Sequence, residues 1–270
     1  MRAAGCVFAE EEAGMILDAA ARASGPDGSG GAGGASGVLV EGMVERRRAG
    51  EPLEHVVGWA AFGGLRIAVG PGVFVPRRRT EFLLEQALRV GRDAAVVVDL
   101  CCGAGPLATA LAVRLPRAEL HAADIDPAQT AYARRNLALF ADRASVHEGD
   151  LYDALPDALR GRVDLLVANA PYVPRDALAT LPGEARDHEP VRSLDGGADG
   201  LAVQRRVAAG APDWLAPGGH LLVETSERQA PLTREVFAAV GLDARVVECE
   251  EREACVVVAR RAGRAGWSAG

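Results

Sequence analysis

The run Val96–Ala112, VVVDLCCGAGPLATALA, decides the architecture. Its β-branched opening reads as a strand that ends near Asp99. Gly103 and Gly105 form a turn, and the alanine- and leucine-rich remainder is a helix. Two uses of that turn stand side by side. It brings the backbone close to a ligand, as in dinucleotide sites, or it is simply a tight strand-to-helix connection. The full G-x-G-x-x-G is absent, because Cys101 occupies the first glycine-like position.

The same alternation continues toward the C-terminus. Strand-like runs occur at 95–100, 118–124, 144–150, 163–169, 219–225, 243–249 and 254–260, and amphipathic helical segments separate most of them. Strand alternating with helix implies an α/β fold with a mainly parallel sheet covered on both faces. Only EERE separates the last two runs, which predicts an antiparallel hairpin at one edge. The expected sheet therefore has seven strands, one of them reversed near the end. No internal repeat is apparent.

Toward the N-terminus the pattern is looser. Residues 7–23 read as a helix with Val7, Met15, Ile16 and Leu17 on or near one side. The glycine-dense stretch Ser24–Gly37 reads as a flexible linker. A second helix is expected at about 38–49, carrying Leu39, Val40, Met43 and Val44. LRIAVGPGVFV (65–75) has the alternation and Gly-Pro-Gly turn of a hairpin, after which Thr80 is placed to cap a helix beginning near Glu81. These readings divide the chain into a small helical domain (1–54, with a glycine-rich linker at 24–37), a β-hairpin connector (55–80), an α/β domain (81–262) and a flexible tail (263–270).

The chain has 270 residues, 49% apolar and 25% charged, ordinary values for a globular protein with ample core. No apolar stretch reaches the ~18 residues that span a membrane, and MRAAGCVFAEEEAG turns acidic too early for a signal peptide. Five cysteines without paired metal spacing point to a reducing compartment, so the cytoplasm is expected and no metal is. The net charge of −7 argues against nucleic acid as a direct substrate. The two basic runs, Arg46–Arg48 and Arg77–Arg79, read as solvated faces.

Three acids follow the strands. Asp124 closes the second run of the series, about 20 residues past the glycines, where a carboxylate grips ribose hydroxyls. Such hydrogen bonds are worth roughly 1.5–3 kcal/mol each. Asp126, just before Pro127, fits an N-cap. Asp150 closes the third run as a candidate acceptor for an adenine amine, with loop capping as the plainer reading. No P-loop lysine pattern is present. A glycine turn without phosphate-binding residues, followed by acids after the next two strands, suits a nucleoside that carries no phosphate. S-adenosylmethionine has that character.

VANAPYVP (167–174) sets one amide side chain, Asn169, at the end of an apolar strand. If the strand order reverses beside the first strand of the series, the first and fourth are neighbours, and Asn169 faces the ligand held by Asp99, Gly103 and Gly105. Pro171 biases Ala170 toward an extended backbone, which aims the Asn169 oxygen and the Ala170 carbonyl toward one point. Two acceptors side by side suit a planar –NH2, with Tyr172 against its flat face. An amide nitrogen is a poor nucleophile, so orientation, worth roughly 7–11 kcal/mol, helps more than a general base. The plain alternative is an Asx-turn that closes a strand.

With these residues in view, the chain closely resembles the HemK/PrmC family of protein-(glutamine-N(5)) methyltransferases from about residue 38 to 260. The likeness rests on ERRRAGEPLEHVVGWAAFGGLRIAVGPGVFVPRRRTEFL, VVVDLCCGAG, AADIDP, NAPY and HEPVRSLDGGADGLAVQRRVAAGAPDWLAPGGHLLVE. The resemblance implies a class I S-adenosylmethionine-dependent, Rossmann-like methyltransferase domain that methylates a glutamine amide in a peptide chain release factor. It implies that Asp99, Cys101, Gly103, Gly105, Asp124, Ile125, Asp150 and Asn169 surround the S-adenosylmethionine. Asn169, Ala170, Pro171 and Tyr172 would hold the amide and do the chemistry. Glu189 and Pro190 would border the substrate, and Phe74, Pro76 and Arg77 would lead into the site. The departures are NAPY for N-P-P-Y, Cys101 for the first glycine, PRRRTE with Arg79 in place of an acid, and a shorter, glycine-split N-terminal domain. Two other functions remain in view: a nucleic-acid amino methyltransferase, and a non-catalytic S-adenosylmethionine-binding accessory protein.

Overall fold

The computed structural model describes residues 8–23 and 34–263. Val7, most of the glycine-rich linker (24–33) and all but the first residue of the expected tail lie outside them.

Three helices open the described chain: α1 (Ala9–Ala23), α2 (Gly34–Arg48) and the short α3 (Leu53–Val57). Helix α1 buries Ile16, Ala19 and Ala20, while Leu17 faces outward at 56% exposure, so the apolar side is narrower than expected. Helix α2 begins at Gly34, inside the stretch expected to be linker, and Leu39 on it is exposed. The first arginine run is a solvated face only in part, with Arg48 exposed and the other two paired. Arg46 pairs with Glu51, and Arg47 bridges Glu12 of α1 (2.8 Å) and Glu184 (2.7 Å).

The hairpin lies earlier than expected. Strands β1 (Trp59–Phe62) and β2 (Leu65–Ala68) pair antiparallel, with Phe62 opposite Leu65. Their two-residue turn is Gly63-Gly64, at φ +56° and +76°. Two successive positive φ values match the twist of the flanking strands, and glycine adopts them without a Cβ penalty. Gly70-Pro71-Gly72 makes a separate turn, closed by the Val73 N–H donating to the Gly70 carbonyl (3.1 Å). A proline there has no N–H to offer a ladder, which is why alternation across it misleads.

Helix α4 (Thr80–Val90) then leads into the main sheet: β3 (Val96–Leu100), β4 (Glu119–Asp124), β5 (Ala144–Glu148), β6 (Val163–Ala168), β7 (Leu215–Thr225), β8 (Leu242–Cys249) and β9 (Ala254–Arg261). The spatial order is β5-β4-β3-β6-β7-β9-β8. All pairings are parallel except those of β9, which runs antiparallel to β7 and β8. The seven strands, the reversed one and the edge hairpin stand as expected.

Between the strands run α5 (Pro106–Arg114), α6 (Pro127–Asn136), α7 (Gly183–His188), α8 (Ala202–Trp214) and α9 (Ala230–Ala239). Adjacent strand residues point to opposite faces, so Val97 and Leu165 pack with α4 and α5, whereas Val98 and Leu166 pack with α8 and α9. Burial on both faces explains the unbroken apolar runs of the central strands. The order reverses between β3 and β6, whose ends lie side by side at Leu100 and Ala168. A crevice opens at that reversal, beyond the carboxyl ends of the strands.

Candidate active site

A cavity of about 600 Å³ sits at these strand ends. Its two halves are built differently.

The first half gathers the ends of β3, β4 and β5. Asp124 closes β4; its Oδ2 accepts the Gly103 N–H and its Oδ1 the Asp126 N–H, both at 2.9 Å. Burial pushes its carboxyl up, and these amides oppose the rise. Asp126 caps α6 by accepting the Ala128 N–H at 2.9 Å. Asp99 is 1% exposed. Its Oδ2 accepts the Ala108 N–H of α5 at 3.0 Å, while Oδ1 has no hydrogen-bond partner among the described residues. Burial pushes this carboxyl up to about 8, against the Ala108 amide and with help from Asp124. Asp150 pairs with Arg206 of α8 at 2.8 Å. Cys101, the departure in the glycine turn, adopts φ +54°, a left-handed conformation that costs a side-chain-bearing residue roughly 1–2 kcal/mol. Burial, with Asp124 and Asp99 nearby, keeps its thiol neutral.

The second half gathers the ends of β6 and β7. Asn169 donates from Nδ2 to the Thr80 hydroxyl at 3.2 Å, which leaves Oδ1 as its acceptor. Thr80 was expected as a cap; it is instead the first residue of α4, buried at 2% and turned toward Asn169. Ala170 is 1% exposed, and its carbonyl accepts no hydrogen bond among the described residues. The Tyr172 hydroxyl donates to Glu224 Oε1 at 3.3 Å. The second arginine run is engaged here too. Arg79 reaches the same Oε1 through Nε at 3.3 Å and lies 5.8 Å above the Tyr172 ring. Arg77 pairs with Glu189 at 2.6 Å over the Phe74 ring, and only Arg78 matches the solvated reading.

The loop that carries this motif is braced from behind. Gln229 donates through Nε2 to the carbonyls of Tyr172 (2.9 Å) and Asp199 (3.0 Å). Val173 exchanges backbone hydrogen bonds with Leu194 (3.0 Å) and Gly196 (2.9 Å). Gly200, at φ +79°, approaches so closely that a Cβ would stand 2.3 Å from the Tyr172 carbonyl oxygen. The DGGADGL segment is thus the mould for the NAPY turn.

Of the residues singled out in the sequence, the cavity wall contains Phe74, Arg77, Cys101, Gly103, Asp124, Ile125 and Asp150, with Asn169 through Tyr172. Asp99 and Pro76 lie behind it, in a recess of about 30 Å³ that also touches Asn169. Gly105 caps α5, with Ala133 3.2 Å from where its Cβ would be. Glu189 and Pro190 stand outside the wall, and Glu189 meets it only as the ion-pair partner of Arg77. Sequence reasoning missed Glu224, Arg79 as a wall residue, Thr80 and Arg206. For Glu224 a signal existed: like Asp99, it is an acid closing an apolar strand.

Residues 64–181 match the Methyltransferase small domain family. The release factor glutamine methyltransferase of Mycolicibacterium smegmatis is 45% identical over 203 residues, 74% of this chain and 71% of that protein. The 4-amino-L-phenylalanine/4-methylamino-L-phenylalanine methyltransferase of Streptomyces pristinaespiralis is 39% identical over 205 residues, 73% and 69% of the respective chains. Among solved structures, the T. thermophilus 16S rRNA N2 G1207 methyltransferase in complex with AdoMet and guanosine aligns with a TM-score of 0.53 at 24% identity, over 75% of this chain and 49% of that one, a likeness of fold. By its sequence relatives and its sheet, the chain belongs to the HemK/PrmC family of methyltransferases.

Proposed function

We propose that the protein transfers a methyl group from S-adenosylmethionine to the side-chain amide nitrogen of a glutamine in a protein, a peptide chain release factor in the first instance. The observation that carries this reading is the pair of acceptors at the end of β6, Asn169 Oδ1 and the Ala170 carbonyl, beside the Tyr172 ring. They complement the two N–H groups of a carboxamide.

The other half suits the cofactor. Asp124 has lone pairs left for ribose hydroxyls, Asp150 for an adenine amine, and the exposed Ile125 offers an apolar surface for the base. The orphaned, buried Asp99 Oδ1 suits an ammonium, the charge at the amino-acid end of S-adenosylmethionine. When bound, that cofactor supplies an electrophilic methyl on a sulfonium. The protein's part is to hold the nitrogen in line with it, and the buried Ala170 and braced NAPY turn keep the acceptors fixed. Retention of this amide-holding pair speaks against a non-catalytic binding protein, and the charge of −7 against a nucleic-acid substrate.

The second reading is a small aromatic amine as acceptor, favoured by the 39% identity to an amino-phenylalanine methyltransferase. Tritium-labelled S-adenosylmethionine, a release factor with its Gly-Gly-Gln loop, and mass spectrometry of the product separate the two. Label on the glutamine side chain is expected; label only on free aromatic amines overturns the proposal. No helix among the described residues is long and apolar enough to cross a membrane. We place the reaction in the cytoplasm, where release factors act.

A further inference from the structure

An asparagine amide is nearly symmetric in shape, and turning it over exchanges its oxygen and its –NH2. Asn169 offers an acceptor to the cavity only while Nδ2 is the atom that faces Thr80. Thr80 Oγ1 accepts that N–H at 3.2 Å, so the hydroxyl proton of Thr80 must go elsewhere. Glu224 is within reach of it. This carboxylate is 2% exposed near the end of β7. Its Oε1 meets the Tyr172 hydroxyl and the Arg79 Nε, each at 3.3 Å, whereas Oε2 is buried and meets no N–H among the described residues. Burial pushes the carboxyl up, and the Thr80 hydroxyl, Arg79 and Tyr172 hold it down. The positive charge of Arg79 favours the ionised form, which accepts hydrogen bonds and donates none.

We propose that Glu224, acting through Thr80, sets the orientation of the Asn169 amide and so makes the slot choose a carboxamide over a carboxylate. The inference rests on the glutamine reading above. Oε2 of Glu224 takes the Thr80 proton, Thr80 Oγ1 keeps its lone pairs for Asn169 Nδ2, and Oδ1 turns to the cavity beside the Ala170 carbonyl. Each bond fixes the direction of the next, and the series starts from a group that can only accept. Two oxygens facing the acceptor suit the N–H groups of glutamine. They repel the oxygens of glutamate, which bring no hydrogen to either. The two side chains have nearly the same shape, so size cannot tell them apart and hydrogen-bond polarity must. Thr80 and Glu224 are thus positioning residues, which act on the substrate through Asn169.

The test uses calorimetry in the presence of S-adenosylhomocysteine, so that no transfer occurs. It measures the affinity of the chain for a release factor and for the same factor with the glutamine of its Gly-Gly-Gln loop replaced by glutamate. The ratio of the two affinities is the readout, because a loss of fold or of general fit lowers both alike. Glu224→Gln should lower that ratio about 10²-fold, roughly a factor of ten for each hydrogen bond reversed. Arg79 and Tyr172 keep the oxygen of the new amide at the Oε1 place, so its –NH2 points at Thr80, reverses the series and turns Asn169 Nδ2 to the cavity. Thr80→Val leaves the Asn169 amide free to turn and should lower the ratio about tenfold, while Thr80→Ser should keep it. The double variant Thr80→Val/Glu224→Gln should match Thr80→Val alone, since without the hydroxyl Glu224 has no route to Asn169. A wild-type ratio in Glu224→Gln overturns the inference, and so does a double variant at or below the Glu224→Gln value. A wild-type chain that transfers no methyl group to the release factor fails the functional reading itself, and the choice of carboxamide falls with it.

Discussion

At the ends of β3 and β4 the carboxylates of Asp99 and Asp124 are held by backbone amides, those of Ala108, Gly103 and Asp126. At the ends of β6 and β7 the polar groups are held by side chains far away in sequence. Asn169 leans on Thr80, Tyr172 on Glu224, and Glu224 on Arg79, across 89, 52 and 145 residues respectively. A backbone-held half comes with the strand-turn-helix units themselves and tolerates substitution around it. A half built from side chains can be rewired one residue at a time. Relatives near 40% identity with different acceptors, a release factor in one and an amino-phenylalanine in another, are what such a division permits.

The division can be broken by mutation. Asn169→Ala should lower kcat about 10³-fold and leave S-adenosylmethionine affinity within about twofold, because the change stays in the acceptor half. Calorimetry beside a tritium-transfer assay reads both, and a parallel collapse of cofactor binding would show that the halves are not separable. Asp124→Ala should do the reverse, weakening cofactor binding about 10²-fold through lost hydrogen bonds to a charged acceptor. Unaltered affinity there would remove Asp124 from the ribose.

Smaller changes sharpen the picture. Tyr172→Phe removes one hydroxyl–carboxylate hydrogen bond and should lower kcat/KM about tenfold. A loss confined to cofactor affinity would put Tyr172 in the wrong half. The smallest effect concerns protons. With its carboxyl pushed up to about 8, Asp99 is mostly protonated at pH 7, and an ammonium arriving at Oδ1 lowers that value. Cofactor binding should therefore release a proton, and affinity should rise from pH 6 to 8. Calorimetry in buffers of different ionisation enthalpy measures the release, and Asp99→Asn should abolish it.

The same contrast explains what was legible in the sequence. The sheet, its reversed strand, and the placement of Asp124, Asp126 and Asn169 follow from local pattern: strands end in acids, turns carry glycines, and a helix starts at its cap. The hairpin was misplaced because Gly63-Gly64 and Gly70-Pro71-Gly72 are both turn signals, and only the missing N–H of Pro71 separates them. Arg79 and Thr80 read as a basic run and a cap because their partners, Glu224 on β7 and Asn169 just past β6, lie far away in sequence. Glu224 ends β7 much as Asp99 ends β3, yet its role depends on which loops meet at the crevice. No periodicity records that meeting.

The placement of β9 has a consequence in time. It is the last strand in chain order among the described residues, yet it lies inside the sheet, between β7 and β8. Glu224 and Thr225 of β7 pair with Val256 and Cys255 of β9. While the chain emerges from the ribosome, β7 therefore keeps an open edge until residues 254–261 have followed it out. The side of the sheet proposed to hold the nucleoside can assemble earlier, since β3, β4 and β5 pair only with one another and with β6. A nascent chain halted before β9 would have the turns after β3 and β4 in place while the strand that anchors Glu224, and through it Arg79 and Tyr172, still waits for its neighbour.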